Sequence, residues 1–355
     1  MERKEYFEVL KETSRLVTPL IFQCLEKRNF QEPVKSLVEI LPKRRSKNPR
    51  LRDLLLRLSY EISRGEDWKQ VIPPYAAAIE LYNCSTYIVN WFLDGKGELK
   101  SQDDEKSAIT SGFLLRELAQ EIVSKQKISK EKTLEILCGL SKVNFDMYQG
   151  QTLDLYVLTV DNFDKFRDEK DFLETLYKKG RLVCGHFSSW IVDTGVTLAD
   201  EGGKYRDVLR NFAINLSSGI QLANDAGDFI PACQTVKTPD KTYKDQVTDI
   251  ANGRLTLPTW YCLKHGTEEQ KSALLNLVGR RNAILEEQEK AVYALRDCGA
   301  FNFVISEANR LTNLCKSTLH KLPESPQREL LSTMTSLIRT NKFYNTLREN
   351  YRTVA

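Results

Sequence analysis

The chain has 355 residues, with 52 Lys and Arg interspersed among 48 Asp and Glu, three His and eight Cys, for a formal net charge of +4. That length supports a large buried core, and the near balance of charge leaves no sustained basic footprint for nucleic acid. Eight cysteines without a CxxC pair, most of them in apolar periodic stretches, read as buried thiols of a reducing cytoplasm. His186, His265 and His320 stand at no ligand spacing from a cysteine, which argues against zinc.

At the N-terminus, MERKEYFEVLKETSR is too charged for a signal peptide, and no apolar run is long enough to span a bilayer, so a soluble, cytoplasmic protein without a transmembrane segment is expected. Apolar periodicity is helical nearly throughout. It predicts helices over 5–28, 31–41, 50–64, 73–93, 103–125, 129–146, 150–159, 168–178, 180–200, 203–229, 241–252, 254–264, 267–279, 282–297, 300–319 and 325–351. Between the second and third of these, LPKRRSKNPRLR (41–52) is the one basic concentration, a solvated loop or an anion site. Ser129 before KEKTLE, Thr267 before EEQ and the PESPQREL turn are start signals. Gly112, Gly150, Gly180, Gly185 and Gly219 read as points of close helix packing or as boundaries. With no Pro/Gly/Ser-rich linker and no short repeat, the expectation is a single all-α helical bundle over 1–355.

Four polar groupings interrupt the helical pattern where burial is expected. Asn90 and Asp94 lie one turn apart at the end of the apolar segment IELYNCSTYIVNWFLDGKG (79–97). YQGQTLDL (148–155) carries Gln151 and Asp154, and YKKGRL (177–182) a pair of lysines. In GIQLANDAGDFI (219–230), Gln221, Asn224, Asp225 and Asp228 fall at helical offsets that put all four on one face. Such a face lies in water or lines a cavity. Acidic and amide pairs on apolar helices, with lysine and arginine nearby, suit a magnesium ion bridging a polyanion, since magnesium takes oxygen ligands and keeps waters while holding substrate phosphates.

These segments resemble, in order, the motifs of the trans-isoprenyl diphosphate synthase (polyprenyl synthetase) family, whose fold is shared by class I terpene cyclases. PRLR (49–52) is similar to the GGKRxRP segment and AAAIELYNCSTYIVNWFLD to the helix ending in the first DDxxD motif. SGFLLRELA (111–119) is similar to GDxLLxxA, GQTLDL to GQxxDL, and KKG to KT(A/G). GIQLANDAGDF is similar to FQxxDDxxD and DIANGRLTLP (249–258) to DxxxGKxTLP. The resemblance runs from about residue 47 to 345, with the helices of 1–46 and the helix of 325–351 packed on that domain. It implies an isoprenyl diphosphate synthase-type bundle, a homodimer and Mg2+ as cofactor.

The departures fall on the chemistry. The first motif becomes Asn90-Trp91-Phe92-Leu93-Asp94 and the second Asn224-Asp225-Ala226-Gly227-Asp228. The resemblance makes Asn90, Asp94, Asn224, Asp225 and Asp228 the metal set, and an asparagine carbonyl oxygen can still ligate magnesium. Lys178, Gln221 and Arg254 take the catalytic positions. Arg50, Arg52, Asn83, Lys100, Gln151 and Asp154 join Lys178 and Arg254 in binding substrate, with Asn83 at a His or Gln position and Lys100 replacing an arginine. Tyr82, Ser85, Thr86 and Tyr87 stand where the pocket wall would be. The implied activity is ionisation of an allylic prenyl diphosphate of C15–C20 size for prenyl transfer or elongation, with isopentenyl diphosphate as the second substrate. A class I terpene cyclase acting on one prenyl diphosphate and a catalytically silent synthase subunit are the alternatives.

Overall fold

The computed structural model describes residues 3–47, 50–95, 102–199, 203–229, 247–280 and 283–338. Among them the chain is helical, as predicted, and its only extended pairing is an antiparallel bridge between Thr159 and Arg254. The helices are α1 Arg3–Glu26, α2 Val34–Arg45, α3 Leu51–Ile62, α4 Trp68–Asp94, α5 Gln102–Ser124, α6 Lys130–Thr152, α7 Glu169–Gly180 and α8 His186–Leu198. They continue with α9 Arg206–Gly227, α10 Thr248–Ala251, α11 Leu257–His265, α12 Glu268–Leu275, α13 Leu285–Asp297, α14 Ala300–Leu319 and α15 Pro326–Met334. Contacts group them into two compact units, one of Met1–Asn144, Phe187–Ala213 and Leu319–Thr333, the other of Phe145–His186, Ile214–Thr318 and Met334–Ala355. No helix among the described residues is long and apolar enough to cross a membrane.

In the first unit α4 is the central element. Every residue from Tyr75 to Ser85 is buried, the signature of a helix enclosed on all sides. It packs on α1, α3 and α5. At Gly112 of α5 a Cβ would meet Val89 Cγ2 at 2.6 Å, so the predicted glycine contact is a close approach of these two helices. Full burial obliges Glu80, in mid-helix, to be paired. Arg45 of α2 donates to its carboxylate, and Asn83 Nδ2 donates to Glu80 Oε2 at 3.4 Å.

A second buried ion pair joins Arg50 to Asp53, with Nε 2.8 Å from Oδ2. Burial, opposed by Arg50, pushes the Asp53 carboxyl up from 3.8 to about 7. A carboxyl whose folded pKa lies above its unfolded value contributes stability below that value and loses it as pH rises through the folded pKa. Asp53→Asn removes this titration and leaves Arg50 charged and unpaired at every pH. The stability of the variant relative to wild type should therefore improve between about pH 4 and pH 7 and be flat above. Urea melts of both proteins across this range measure the trend, and a pH-independent difference would return Asp53 to an ordinary pKa.

The second unit has its own core around Trp260 of α11. Its ring stacks on Phe172 at 4.6 Å, and its Nε1 donates to the Phe166 carbonyl at 2.7 Å. The Thr267 signal forms a full capping box with Gln270 at the start of α12, and in the first unit Ser129 accepts from Lys132 N ahead of α6.

Several boundaries differ from the sequence expectation. α4 starts at Trp68, five residues before Pro73, because Trp68 is buried with the Arg57 guanidinium 3.7 Å from its ring, which anchors the first turn despite two prolines. The helix predicted over 150–159 is instead the end of α6, a π-helical turn at Leu153–Val157 and a 3-10 segment at Val160–Phe166. The helix predicted over 180–200 opens with a second π turn, Arg181–Gly185. Of 241–252 the described part is α10. Of 325–351 it is α15 and a 3-10 turn at Thr335–Ile338, the remainder lying outside the described residues.

Candidate active site

The charged cluster of the second unit starts with α7. Asp168 caps this helix by accepting from Lys170 N at 2.8 Å and Asp171 N at 3.1 Å, worth about 1 kcal/mol. Its buried stripe runs through Phe172 and Leu176, and the next position of that stripe is Lys179. A lysine thus occupies a core position, 6% exposed, while its neighbour Lys178 is exposed. The ammonium Nζ lies 3.0 Å from Asp154 Oδ1 and 3.4 Å from Asp225 Oδ2. Burial alone would discharge it, but Asp154 and then Asp225 outweigh burial and hold Lys179 charged well beyond the ordinary lysine range.

Asp154 sits in the π turn that ends α6, a widened turn of the kind that recurs at functional sites. Gly150, one turn earlier, makes room for Val183 of the other π turn, since a Cβ there would meet Val183 Cγ2 at 2.6 Å. Arg254 Nε lies 3.4 Å from Asp154 Oδ2, and its guanidinium reaches the carbonyls of Asp154 and Leu155. Its backbone is held by the bridge: Val160 N donates to Gly253 O, and Leu255 N to Leu158 O, both at 2.8 Å. On α9, Gln221 Nε2 donates to Asp225 Oδ1 at 2.6 Å, and Cys184 Sγ donates to Gln221 Oε1 at 3.3 Å. Cations and carboxylates therefore alternate, Arg254 to Asp154 to Lys179 to Asp225.

Gln221, Asn224 and Asp225 of α9 and Asp228 just beyond its end do not share one environment, which corrects the sequence expectation. Successive helical residues point about 100° apart, so Asp225 turns into the cluster at 4% exposure while Asn224 is exposed. Gln221 and Asp228 are half-buried, and Asp228 Oδ2 accepts from Asp249 N at 2.8 Å.

In the first unit, Asn90 and Asp94 are half-buried on one face of the last turns of α4, which stops at Gly95 in the left-handed conformation (φ 59°). The carbonyl end of a helix is partially negative and favours a cation beside these oxygens. Arg50 is 3% exposed, and its guanidinium donates to Asp53, Thr18 Oγ1 and the Ser14 carbonyl. Its geometry is that of an internal tie, which takes it out of the expected substrate-binding set. Arg52 differs: it is half-buried over the Phe187 ring at 5.4 Å, and its Nε is buried without a partner among the described residues. Asn83 is 1% exposed and faces Glu80. Gln151 is half-buried, and Lys100 lies outside the described residues. Tyr82 and Ser85 are fully buried, Thr86 half-buried, and Tyr87 39% exposed against the Arg45 guanidinium.

The profile of the polyprenyl synthetase family matches residues 34–295. The chain belongs to the polyprenyl synthetase family. Among relatives, the geranylgeranyl pyrophosphate synthase of Geoglobus acetivorans is 26% identical over 330 residues, covering 91% of this chain and 95% of the relative. Among solved structures, the polyprenyl synthase of Caulobacter crescentus CB15, complexed with calcium and isoprenyl diphosphate, has a TM-score of 0.77 at 17% identity, covering 95% of this chain and 98% of that one. The geranylgeranyl pyrophosphate synthase of Corynebacterium glutamicum, complexed with isoprenyl diphosphate and magnesium, has a TM-score of 0.74 at 16% identity, covering 96% and 99%. At these identities the structural likeness speaks for the fold. Family membership places the chain among the prenyltransferases of isoprenoid biosynthesis.

Whether this polyprenyl synthetase family member suits magnesium turns on its oxygen donors. Among the described residues no three His, Cys, Asp or Glu side chains converge on a metal position. Magnesium does not ask for such a cage, being held by one or two carboxylates together with waters and substrate phosphates. Taken within each unit, Asn90 and Asp94 in the first and Asn224 and Asp228 in the second are exposed or half-buried oxygen donors of that kind. Asp225 does not, because Gln221 and Lys179 take its two oxygens. The sequence expectation names Lys178, which is exposed, and does not name Lys179, which the spacing of Phe172, Leu176 and Lys179 places on the inward stripe of α7.

Proposed function

We propose that the chain is a magnesium-dependent prenyl diphosphate synthase that extends an allylic diphosphate with isopentenyl diphosphate to a product of C15–C20 size. The observation that carries this reading is the buried cluster in which Lys179 and Arg254 hold positive charge against Asp154 and Asp225. Ionisation breaks the allylic C–O bond, and its electron pair leaves on pyrophosphate. The double bond of isopentenyl diphosphate then supplies the pair for the new C–C bond, and a proton is lost from the adjacent carbon. Lys179 and Arg254, fixed before the substrate arrives, favour the charge that develops on the leaving pyrophosphate. Arg52, with its unpartnered Nε, is the group for the second diphosphate. Asn90 and Asp94 of the first unit, and Asn224 and Asp228 of the second, are the oxygen donors that would hold magnesium, which would neutralise pyrophosphate oxygens when bound.

A class I cyclase reading draws on Arg50 and Asn83, which are engaged inside the first unit and do not hold a second substrate. Incubating the purified protein with geranyl, farnesyl and geranylgeranyl diphosphates, each with and without isopentenyl diphosphate and magnesium, separates the readings. An elongated diphosphate supports the synthase, a hydrocarbon or alcohol formed without isopentenyl diphosphate the cyclase, and no product from any substrate a silent subunit.

The proposal includes a homodimer. α5 and α6 expose Phe113 (59%), Leu134 (63%) and Phe145 (64%), an apolar load that a second copy would cover. Light scattering at micromolar concentration should give twice the chain mass, and a monomer there would remove the dimer from the reading.

A further inference from the structure

Resting on the synthase reading, we propose that Lys179 is a built-in cation that takes the place of one divalent ion at the second motif. The chain then binds one metal fewer than it would with a neutral residue at that position. Its location argues first. Lys179 continues the apolar stripe of α7, where a charge is tolerated only if it is paired, and its partners come from two other elements, the π turn that follows α6 and the last turn of α9. Cross-linking carboxylates of separate helices is what a bridging metal does, and here an ammonium does it.

Occupancy argues second. Both oxygens of Asp225 are engaged, one by Gln221 and one by Lys179. A divalent ion on this carboxylate would have to displace a buried hydrogen bond and sit beside a fixed positive charge. Charge argues third: Lys179 and Arg254 offset two of the three carboxylates that act on this cluster, Asp154, Asp225 and Asp249, so a metal meets less negative charge here than it would with a neutral residue at 179. A lysine ammonium has three donors, and among the described residues two are engaged, by Asp154 and Asp225. Unlike a metal, this cation cannot dissociate or be chelated.

The test counts metal ions. Mn2+ bound per chain is measured by electron paramagnetic resonance titration with inorganic pyrophosphate as the probe, for wild type, Lys179→Thr and Asp225→Asn. Lys179→Thr should bind one Mn2+ more per chain than wild type. Asp225→Asn should bind the same number as wild type, with affinity changed less than about two-fold. Equal counts for wild type and Lys179→Thr, or the loss of an ion in Asp225→Asn, would overturn the proposal. If Lys179→Thr does not fold, the Asp225→Asn count decides. Product assays report on the synthase reading separately: a wild type without product whose Lys179→Thr variant gains an ion refutes the synthase and leaves the cation standing.

Discussion

Replacing Asp94 by Ala should lower product formation by about 100-fold or more while leaving the melting temperature nearly unchanged. Asp225→Ala should lose activity and stability together. The difference follows from burial. Asp94 is half-buried at the end of α4, where a side chain is truncated at less cost than in the core. In the proposed site it is the one carboxylate of the first motif, and neutral Asn90 cannot replace its charge. Asp225 is 4% exposed and bonds to Lys179, which is itself 6% exposed. Removing one partner of a buried ion pair leaves a charge uncompensated and costs about 3–5 kcal/mol, a drop in melting temperature of about 4–7 °C for a chain of this length. Asn224→Asp adds a carboxylate at an exposed position and should maintain or strengthen metal affinity. Calorimetry beside a radiolabelled product assay reads both quantities, and full turnover of wild type in excess chelator would end the metal assignment.

Tyr82→Ala should shift the product distribution toward longer chains, and Ser85→Phe toward shorter ones. If α4 runs down the pocket wall, Tyr82 lies eight residues below Asn90, about 12 Å along the helix, and forms the floor. Its surroundings suit that part. The ring lies 5.1 Å from Phe187 and 6.3 Å from Trp190, with the Arg116 guanidinium 5.5 Å away, and its hydroxyl donates to Asn144. Truncating a fully buried aromatic opens a cavity at a cost of about 3–5 kcal/mol, so the variant needs assay well below its melting point. Ser85 donates to the Tyr82 carbonyl at 2.6 Å and accepts from Arg116 Nε at 3.4 Å, so a ring there meets α5 and costs about 1–3 kcal/mol. Mass spectrometry of extracted products gives the profiles. Identical profiles for wild type and both variants would take α4 out of the pocket wall.

The all-α class, the caps at Ser129 and Thr267, and the glycine contact at Gly112 were legible because each depends on residues a turn or two apart, or on a glycine that stands out from its neighbours. The family motifs were legible as ordered segments, and the structure joins Asp154, Gln221, Asp225 and Arg254 from three of them in one cluster. The burial of individual residues was less legible. In Lys178 and Lys179, and again in Asn224 and Asp225, a step of about 100° separates an exposed side chain from a buried one. Motif matching does not register that phase, although the stripe through Phe172 and Leu176 did.

By itself the sequence determined the periodicity, the helix signals and the residue types available for diphosphate chemistry, because those are local and compositional properties. Tertiary structure alone decided which of these groups are in play. It bound Arg50 to Asp53, Ser14 and Thr18 inside the first unit, left Arg52 Nε unpartnered, and set Lys179 between two carboxylates 25 and 46 positions away in the chain. The physical reason is that a buried charge takes its identity from the partners that packing brings to it, and residues so distant in sequence meet only when the helices between them have folded.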